Sequence, residues 1–193
     1  LWDVETLKSL HVFNGHTDGV WCVDISQLQG NNNNDNNKMN NIGVIGGNGY
    51  TICSGSLDKT IRIWDIETTK QLNIFNGHYY FVYSVKYGSN ELLSTILSGS
   101  FDKSVRLWDI RSGQQIQIFN GHKYYVYAVE YSPFMIKNSS GNSNVICSGS
   151  WDNTIRDERE DDGIFCLKFV GSKTKNDLNL CYGSRKGPIR IWG

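Results

Sequence analysis

Ser54 to Asp65 reads SGSLDKTIRIWD, and Ser98 to Asp109 reads SGSFDKSVRLWD. A third, broken copy, SGSWDNTIR, runs from Ser148 to Arg156, and a fainter one, YGSRKGPIRIW, from Tyr182 to Trp192. The tripeptide Asn-Gly-His precedes the first three copies, starting at Asn14, Asn76 and Asn120. Trp64 and Trp108 lie 44 residues apart, and Trp108 to Trp192 is 84, or twice 42. Self-similarity at such a period marks a stack of like units, none of which can bury its apolar face alone. Within a unit the local signals are those of strands and tight turns. The runs ending in SGS and the run TIRIW alternate and are rich in β-branched residues, and Leu57-Asp58-Lys59 between them reads as a turn. The segments IETTKQ and IRSGQQ then lead to further strands, QLNIF and QIQIF, and the NGH turn leads to VYSVKY or VYAVEY.

The pattern GH…SGS.D.TIR.WD resembles the WD-repeat (tryptophan–aspartate repeat) β-propeller family over nearly the whole chain. The resemblance implies an all-β fold, a partial WD-repeat β-propeller of about four blades of antiparallel strands. It forms an open arc or a fragment of a seven-bladed ring. The blades fall at residues 20–75, 82–119, 126–156 (truncated) and 164–192 (lacking its outer strand), with 1–13 the remnant of a preceding blade. Each blade runs a, b, c, d outward from the axis. The expected a strands are 20–26, 82–87, 126–131 and 164–170, and the b strands 50–56, 95–100, 145–150 and 179–184. The c strands end near Trp64, Trp108, Arg156 and Trp192, and the d strands are 7–13, 71–75 and 114–119.

The chain has 193 residues, with 19 basic and 19 acidic side chains that cancel. Zero net charge makes neither nucleic acid nor a membrane surface the default partner. No run of about 18 apolar residues suggests a membrane span. The sequence opens on Leu1 in mid-repeat and stops just after a c strand, which reads as a piece of a longer protein. The five cysteines fit the repeat. Cys53 and Cys147 share a position with Leu97 and Cys181, and Cys22 and Cys166 share one with Ser84 and Ala128. Exchange with Leu, Ser or Ala is the behaviour of packing positions, and no C-x-x-C spacing suggests zinc. Cys22 and Cys53 fall on neighbouring strands, where a bridge is conceivable. An intracellular home, cytoplasmic or nuclear, is the expectation.

Three polar stretches interrupt the pattern. Residues 30–41 are almost pure asparagine, and Lys137–Asn144 and Gly171–Asn179 are weaker versions. All three fall between strands a and b, where loop length is tolerated on one face. The asparagine tract buries no apolar surface and is expected to be disordered.

By resemblance, His16, Ser54, Asp58 and Trp64 form one hydrogen-bonded structural tetrad, and His78, Ser98, Asp102 and Trp108 a second. Buried histidine, serine and aspartate satisfy one another's donors and acceptors, and the indole N–H takes an acceptor. The third unit keeps His122, Ser148 and Asp152, but Glu158 stands where tryptophan is expected, and DERED replaces IWDIR. A d strand and an NGH turn are skipped before DGIFCLKF, which mirrors DGVWCVDI at Asp18–Ile25. The connection 157–162 spans at most ~20 Å, just enough to reach the next a strand. In the last unit Tyr182 and Lys186 replace the serine and aspartate, so no tetrad forms. A Ser–His–Asp catalytic triad is the rival reading. Repetition opposes it, as does the lack of a strained nucleophile turn.

Positions that coincide among units are read as structural. These are Trp21, Tyr83, Tyr127 and Phe165 as packing, and Arg62, Arg106, Arg156 and Arg190 as a solvated strand face. Positions that vary on the tight rim are the candidate partner contacts: Leu57, Phe101 and Trp151 before the turn aspartate, and Tyr79, Tyr80, Lys123, Tyr124 and Tyr125 after the GH histidine. Aromatic anchors of this kind dominate interface energetics, although they can equally pack on one another. The sequence therefore reads as a non-catalytic scaffold binding a peptide or protein domain. It carries no expected cofactor, metal or catalytic residue, and the missing blades of a longer chain are a further candidate partner. The other two readings are a truncated or mispredicted remnant without independent function and, remotely, an enzyme.

Overall fold

The computed structural model describes residues 1–26, 50–88, 92–138, 141–152, 164–171, 178–184 and 190–192. For 133–138, 141–144, 164–166, 169–171, 178–184 and 190–192 it gives the strand path alone. Thirteen strands are present among these residues. Strands β1 (Val20–Ile25), β2 (Thr51–Ser56), β3 (Ile61–Asp65) and β4 (Gln71–Phe75) form one four-stranded antiparallel sheet in that order. Strands β5 (Val82–Tyr87), β6 (Thr95–Ser100), β7 (Ser104–Asp109) and β8 (Gln115–Asn120) repeat it. The repetition extends to the bulges: the register shifts between Val20 and Cys22 and again between Val82 and Ser84, and between Ile63 and Trp64 and again between Leu107 and Trp108. A two-stranded sheet, β9 (Val126–Asn138) with β10 (Gly141–Ser150), and a three-stranded one, β11 (Ile164–Gly171), β12 (Leu178–Ser184) and β13 (Arg190–Trp192), follow. The first strands of successive sheets pack side by side, β1 against β5, β5 against β9 and β9 against β11. This is the blade arrangement of a propeller arc.

The core lies between sheets. Ile61, Ile63 and Phe75 of the first sheet meet Val82, Val85, Ile96 and Trp108 of the second. Leu97 and Val105 of the second meet Val126, Val129 and Tyr131 of the third. Close approach depends on the middle residue of each SGS. A methyl group on Gly55 would sit 2.7 Å from Val82 Cγ1, and one on Gly99 would sit 2.8 Å from Val126 Cγ1 and 3.0 Å from Val129 Cγ1. Polar contacts repeat across the same seams. Tyr87 OH bonds Thr51 Oγ1 at 2.8 Å, and Tyr131 OH bonds Thr95 Oγ1 at 2.8 Å. Lys86 on β5 lies 3.7 Å from Asp24 on β1 and 3.6 Å from Glu130 on β9. Cys22, Cys53 and Cys147 are unbridged. Burial pushes the Cys53 thiol well above its ordinary range and Cys22 up to about 12, so both behave as small apolar groups and the conceivable Cys22–Cys53 bridge is not formed.

Two expectations about elements are corrected. Residues 7–13 do not form a d strand; Trp2 and Ser9 make an isolated antiparallel bridge, with Asp3 N–H donating to Lys8 O at 2.9 Å. The turn is nevertheless the repeat's own. Asp65 N–H donates to Lys70 O and Asp109 N–H to Gln114 O in the same way, each at 2.9 Å. The polar stretch at Lys137–Asn144 is not a simple loop insertion either. β9 and β10 continue through it, pairing Asn144 with Met135 and Gly141 with Asn138. The ladder bonds are main-chain, so polar side chains do not stop them, and the register shift between Asn144 and Ile146 takes Pro133, which has no N–H to give, out of the ladder. The asparagine tract at 30–41, residues 172–177, Glu158 and the connection 157–162 lie outside the described residues.

The glycine contacts give a direct test. Gly99→Ala should destabilise the chain by about 1–3 kcal/mol through overpacking on Val126 and Val129. Urea denaturation should show a lower midpoint at unchanged slope.

Candidate functional site

The three Asn-Gly-His turns and the three S-x-D turns meet on one rim, and side chains join them. In the second unit Trp108 Nε1–H donates to Ser98 Oγ at 2.8 Å, Ser98 Oγ lies 2.7 Å from His78 Nε2, and His78 Nδ1 lies 2.8 Å from Asp102 Oδ2. The first unit is superposable in chemistry: Trp64 to Ser54 is 2.8 Å, Ser54 to His16 2.7 Å and His16 to Asp58 2.8 Å. In the third, His122 lies 2.8 Å from Ser148 and 2.9 Å from Asp152. One proton arrangement satisfies the complete networks. A neutral histidine donates from Nδ1 to the carboxylate and accepts the serine O–H at Nε2, and the serine oxygen accepts the indole N–H.

The aspartate ties the two turns together. Its Oδ2 also accepts the N–H of the residue after the histidine: Thr17 to Asp58 at 3.0 Å, Tyr79 to Asp102 at 3.1 Å and Lys123 to Asp152 at 2.7 Å. Its Oδ1 takes the hydroxyl two residues on, Thr60 or Ser104, at 2.6 Å. The strand arginine completes the set, with Arg106 Nη2 3.2 Å from Asp102 Oδ2 and Arg62 Nη2 3.5 Å from Asp58 Oδ2. Arg62 and Arg106 are thus not on a solvated face. Arg106 is buried among Asp102, Ser104 and Gln115, because a buried carboxylate with one neutral histidine still lacks a compensating charge. The aspartates of the WD dipeptides have a separate task, capping the next turn: Asp65 Oδ1 accepts Thr68 N–H at 2.7 Å, and Asp109 Oδ1 accepts Ser112 N–H at 2.6 Å.

Burial lowers the His78 pKa below the ordinary histidine value and outweighs the raising influence of Asp102. At Asp102 burial acts to raise the carboxyl. Hydrogen bonds from His78, Ser104 and Tyr79 N–H overcome it and hold the group well below the usual carboxylate range. Asp58 is held low in the same way against its own burial, by Thr60, His16 and Thr17. These groups share the members of a nucleophilic triad, but Ser98 is fully buried and its oxygen already accepts the Trp108 N–H. The same His, Ser and Asp contacts recur in three units, two of them with the Trp N–H.

The rim above these networks is aromatic. Leu57, Phe101 and Trp151 each donate a backbone N–H into the preceding GH loop, to Gly19 O, Phe81 O and Tyr125 O. Their side chains and those of the loops run together: Phe101 stacks face to face on Tyr125, Tyr80 lies 5.9 Å from Phe101, and Tyr127 5.9 Å from Trp151. Trp21, Tyr83 and Tyr127, equivalent positions on β1, β5 and β9, join beneath with centroids 5.0 and 4.8 Å apart. Tyr79, Tyr80 and Tyr124 stay exposed at 74%, 53% and 52%. Both readings of the aromatic residues thus have a place: Phe101, Tyr125 and Trp151 are partly covered by packing, while three tyrosines face solvent. Sequence reasoning passed over Lys59 and Lys103. Their Nζ atoms stand 5.8 and 5.6 Å from the ring centres of Tyr80 and Tyr124, each tyrosine belonging to the next unit. Their place right after the turn aspartate in two copies was the available signal. Among the described residues no group of three or more metal-ligating side chains converges, and no helix is long and apolar enough to cross a membrane.

A repeated four-stranded unit locked by His, Ser, Asp and Trp defines a class of protein, the β-propellers built from tryptophan–aspartate repeats. The family profile described as "WD domain, G-beta repeat" matches residues 7–65, 69–109 and 113–156, more than half of the chain, and the chain belongs to that family. It is similar to WD repeat-containing protein pop2 of Schizosaccharomyces pombe, 36% identical over 64 residues, which is 33% of this chain and 6% of that protein. It is also similar to transducin-like enhancer protein 2 of Mus musculus, 31% identical over 72 residues, or 37% of this chain and 7% of the relative. The matched stretch is thus a small part of either relative's length. Proteins of WD repeats are generally non-catalytic scaffolds for protein–protein interaction.

Two outcomes are expected of the network. Ser98→Ala leaves a buried indole N–H and a histidine nitrogen without their common partner and should cost about 1–3 kcal/mol, read as a fall in thermal midpoint. Acid should also weaken the fold. His78 and Asp102 both bind fewer protons folded than unfolded. Their contribution is therefore full above about pH 6.5, declines below it as His78 must charge, and declines again below about pH 4 as the carboxylates protonate. Urea midpoints against pH check this, and His78→Gln should flatten the upper part of the decline.

Proposed function

We propose that this chain is a protein-interaction scaffold that takes a peptide or a protein domain on the aromatic rim formed by the GH loops and S-x-D turns. The observation that carries the reading is the exposure of Tyr79, Tyr80 and Tyr124 on a foundation of packed rings. Aromatic side chains held on a rigid base lose little freedom when they bind, and their polar tips tolerate solvent in the free state. The tetrads supply the rigidity, since each fixes a GH loop to a turn of the same blade. Leu57, Phe101, Lys123, Tyr125 and Trp151 belong to the same surface as supporting or flanking contacts.

A second reading is supported by β1. Val20 and Val23 are 52% and 62% exposed, whereas the equivalent Val82, Val85, Val126 and Val129 are buried, Val82, Val126 and Val129 of them against the glycine of the sheet before them. That face suits a chain that is stable only with further blades beside it, a remnant without independent function. Scanning calorimetry separates the two: a single cooperative transition supports the scaffold, and its absence supports the remnant.

The scaffold reading has its own test. Tyr80→Ala combined with Tyr124→Ala should remove partners captured from a cell extract by the tagged chain while leaving the melting transition within a few degrees. An unchanged set of partners would take the rim out of consideration.

A further inference from the structure

The rim is not only aromatic but cationic. Lys59, Lys103 and Lys123 are exposed on it, and none pairs with a carboxylate among the described residues. The acids of the same loops and turns are spoken for. Asp58, Asp102 and Asp152 are buried in the tetrads, which leaves Asp18 as the one exposed carboxylate among the described rim residues. Among the described rim residues, three exposed lysines thus stand against one exposed carboxylate where the tyrosines are exposed. The geometry is also the same twice, each lysine standing over a tyrosine of the next blade.

We propose that the rim recognises an acidic, apolar-bearing peptide segment, with its carboxylates or other anionic side-chain groups met by Lys59, Lys103 and Lys123 and its apolar side chains seated among Tyr80, Phe101 and Tyr124. This rests on the rim being the binding surface. Charge complementarity sets the partner's sign and steers its approach, while the rings supply the contact area. A single-stranded nucleic acid is the competing polyanion, and ring geometry disfavours it. Base stacking needs free aromatic faces. Here Lys59 stands over one side of the Tyr80 ring, Lys103 over one side of Tyr124 and Arg106 over one side of Tyr79, while Phe101 and Tyr125 stack on each other, which leaves fewer faces free for bases.

The test uses the full chain and a displayed library of random 12-residue peptides. Peptides selected on it should be enriched in Asp and Glu and carry apolar or aromatic residues. In fluorescence polarisation their affinity should fall about tenfold or more for the variant K59E/K103E/K123E, and with added salt, while K59R/K103R/K123R retains it. Circular dichroism melts confirm that the variants fold. Selected peptides no more acidic than the input, or equal binding by the lysine-reversed variant, would overturn the proposal. If those peptides are lost on Tyr80→Ala plus Tyr124→Ala but kept on charge reversal, the rim stands as a binding site and its preference for acids falls. If neither variant changes binding, both readings fall. Preferential binding of a 12-nucleotide oligothymidine over the selected peptides would replace the peptide with nucleic acid.

Discussion

The first two blades are each fastened where one aspartate carboxylate gathers five donors from the GH loop and from the turn and strand that follow the aspartate. Asp102 holds the ring of His78 and the N–H of Tyr79 from the loop before β5, the N–H and hydroxyl of Ser104 from the start of β7, and the guanidinium of Arg106. A buried carboxylate without these partners would be costly; with them it becomes the point that fixes loop to turn. The histidine then carries the order inward through Ser98 to the buried Trp108. The exposed tyrosines and lysines of the rim project from this fixed base.

The sequence repeat and the structural sheet are out of step by one strand. The matched unit 69–109 opens with β4, which is the outer strand of the preceding sheet, and only then supplies β5, β6 and β7 of its own. Consecutive sheets are consequently stitched by the chain itself, and the GH turn that follows the outer strand returns to the next tetrad. The same offset explains residues 1–10. They are a c–d turn with its hydrogen bonds intact, Asp3 capping Glu5 and Thr6 at 2.8 and 3.0 Å, joined by one isolated bridge between Trp2 and Ser9.

Between blades the specification is steric and electrostatic together. Gly55 and Gly99 admit the valines of the next inner strand, and a side chain there would meet them at under 3.0 Å. Charges at one position of the inner strands alternate as Asp24, Lys86, Glu130 and Lys168, and Lys86 touches both of its acidic neighbours. Burial raises the Glu130 carboxyl against the lowering effect of Lys86. Such half-exposed pairs add little stability, yet alternating signs favour the observed order of blades over an exchange that would bring like charges together.

The sequence by itself determined most of the strands, their order within a blade and the spacing that brings His, Ser, Asp and Trp together in the first two units, because these rest on spacing within one unit and the unit is spoken more than once. Tertiary structure decided what no single unit contains. Arg106 looked like a surface residue in an alternating strand, and only the fold surrounds it with Asp102 and Gln115. The polar stretch Lys137–Asn144 looked like a loop, and only main-chain pairing between β9 and β10 carried the strands into it. Whether Phe101 faced solvent or a neighbour depended on Tyr125, which belongs to the next blade. Lys59 acquired a role only when the turn was set beside Tyr80. Contacts within a repeat are written in its period, whereas contacts between repeats depend on how side chains from different units fill one shared space.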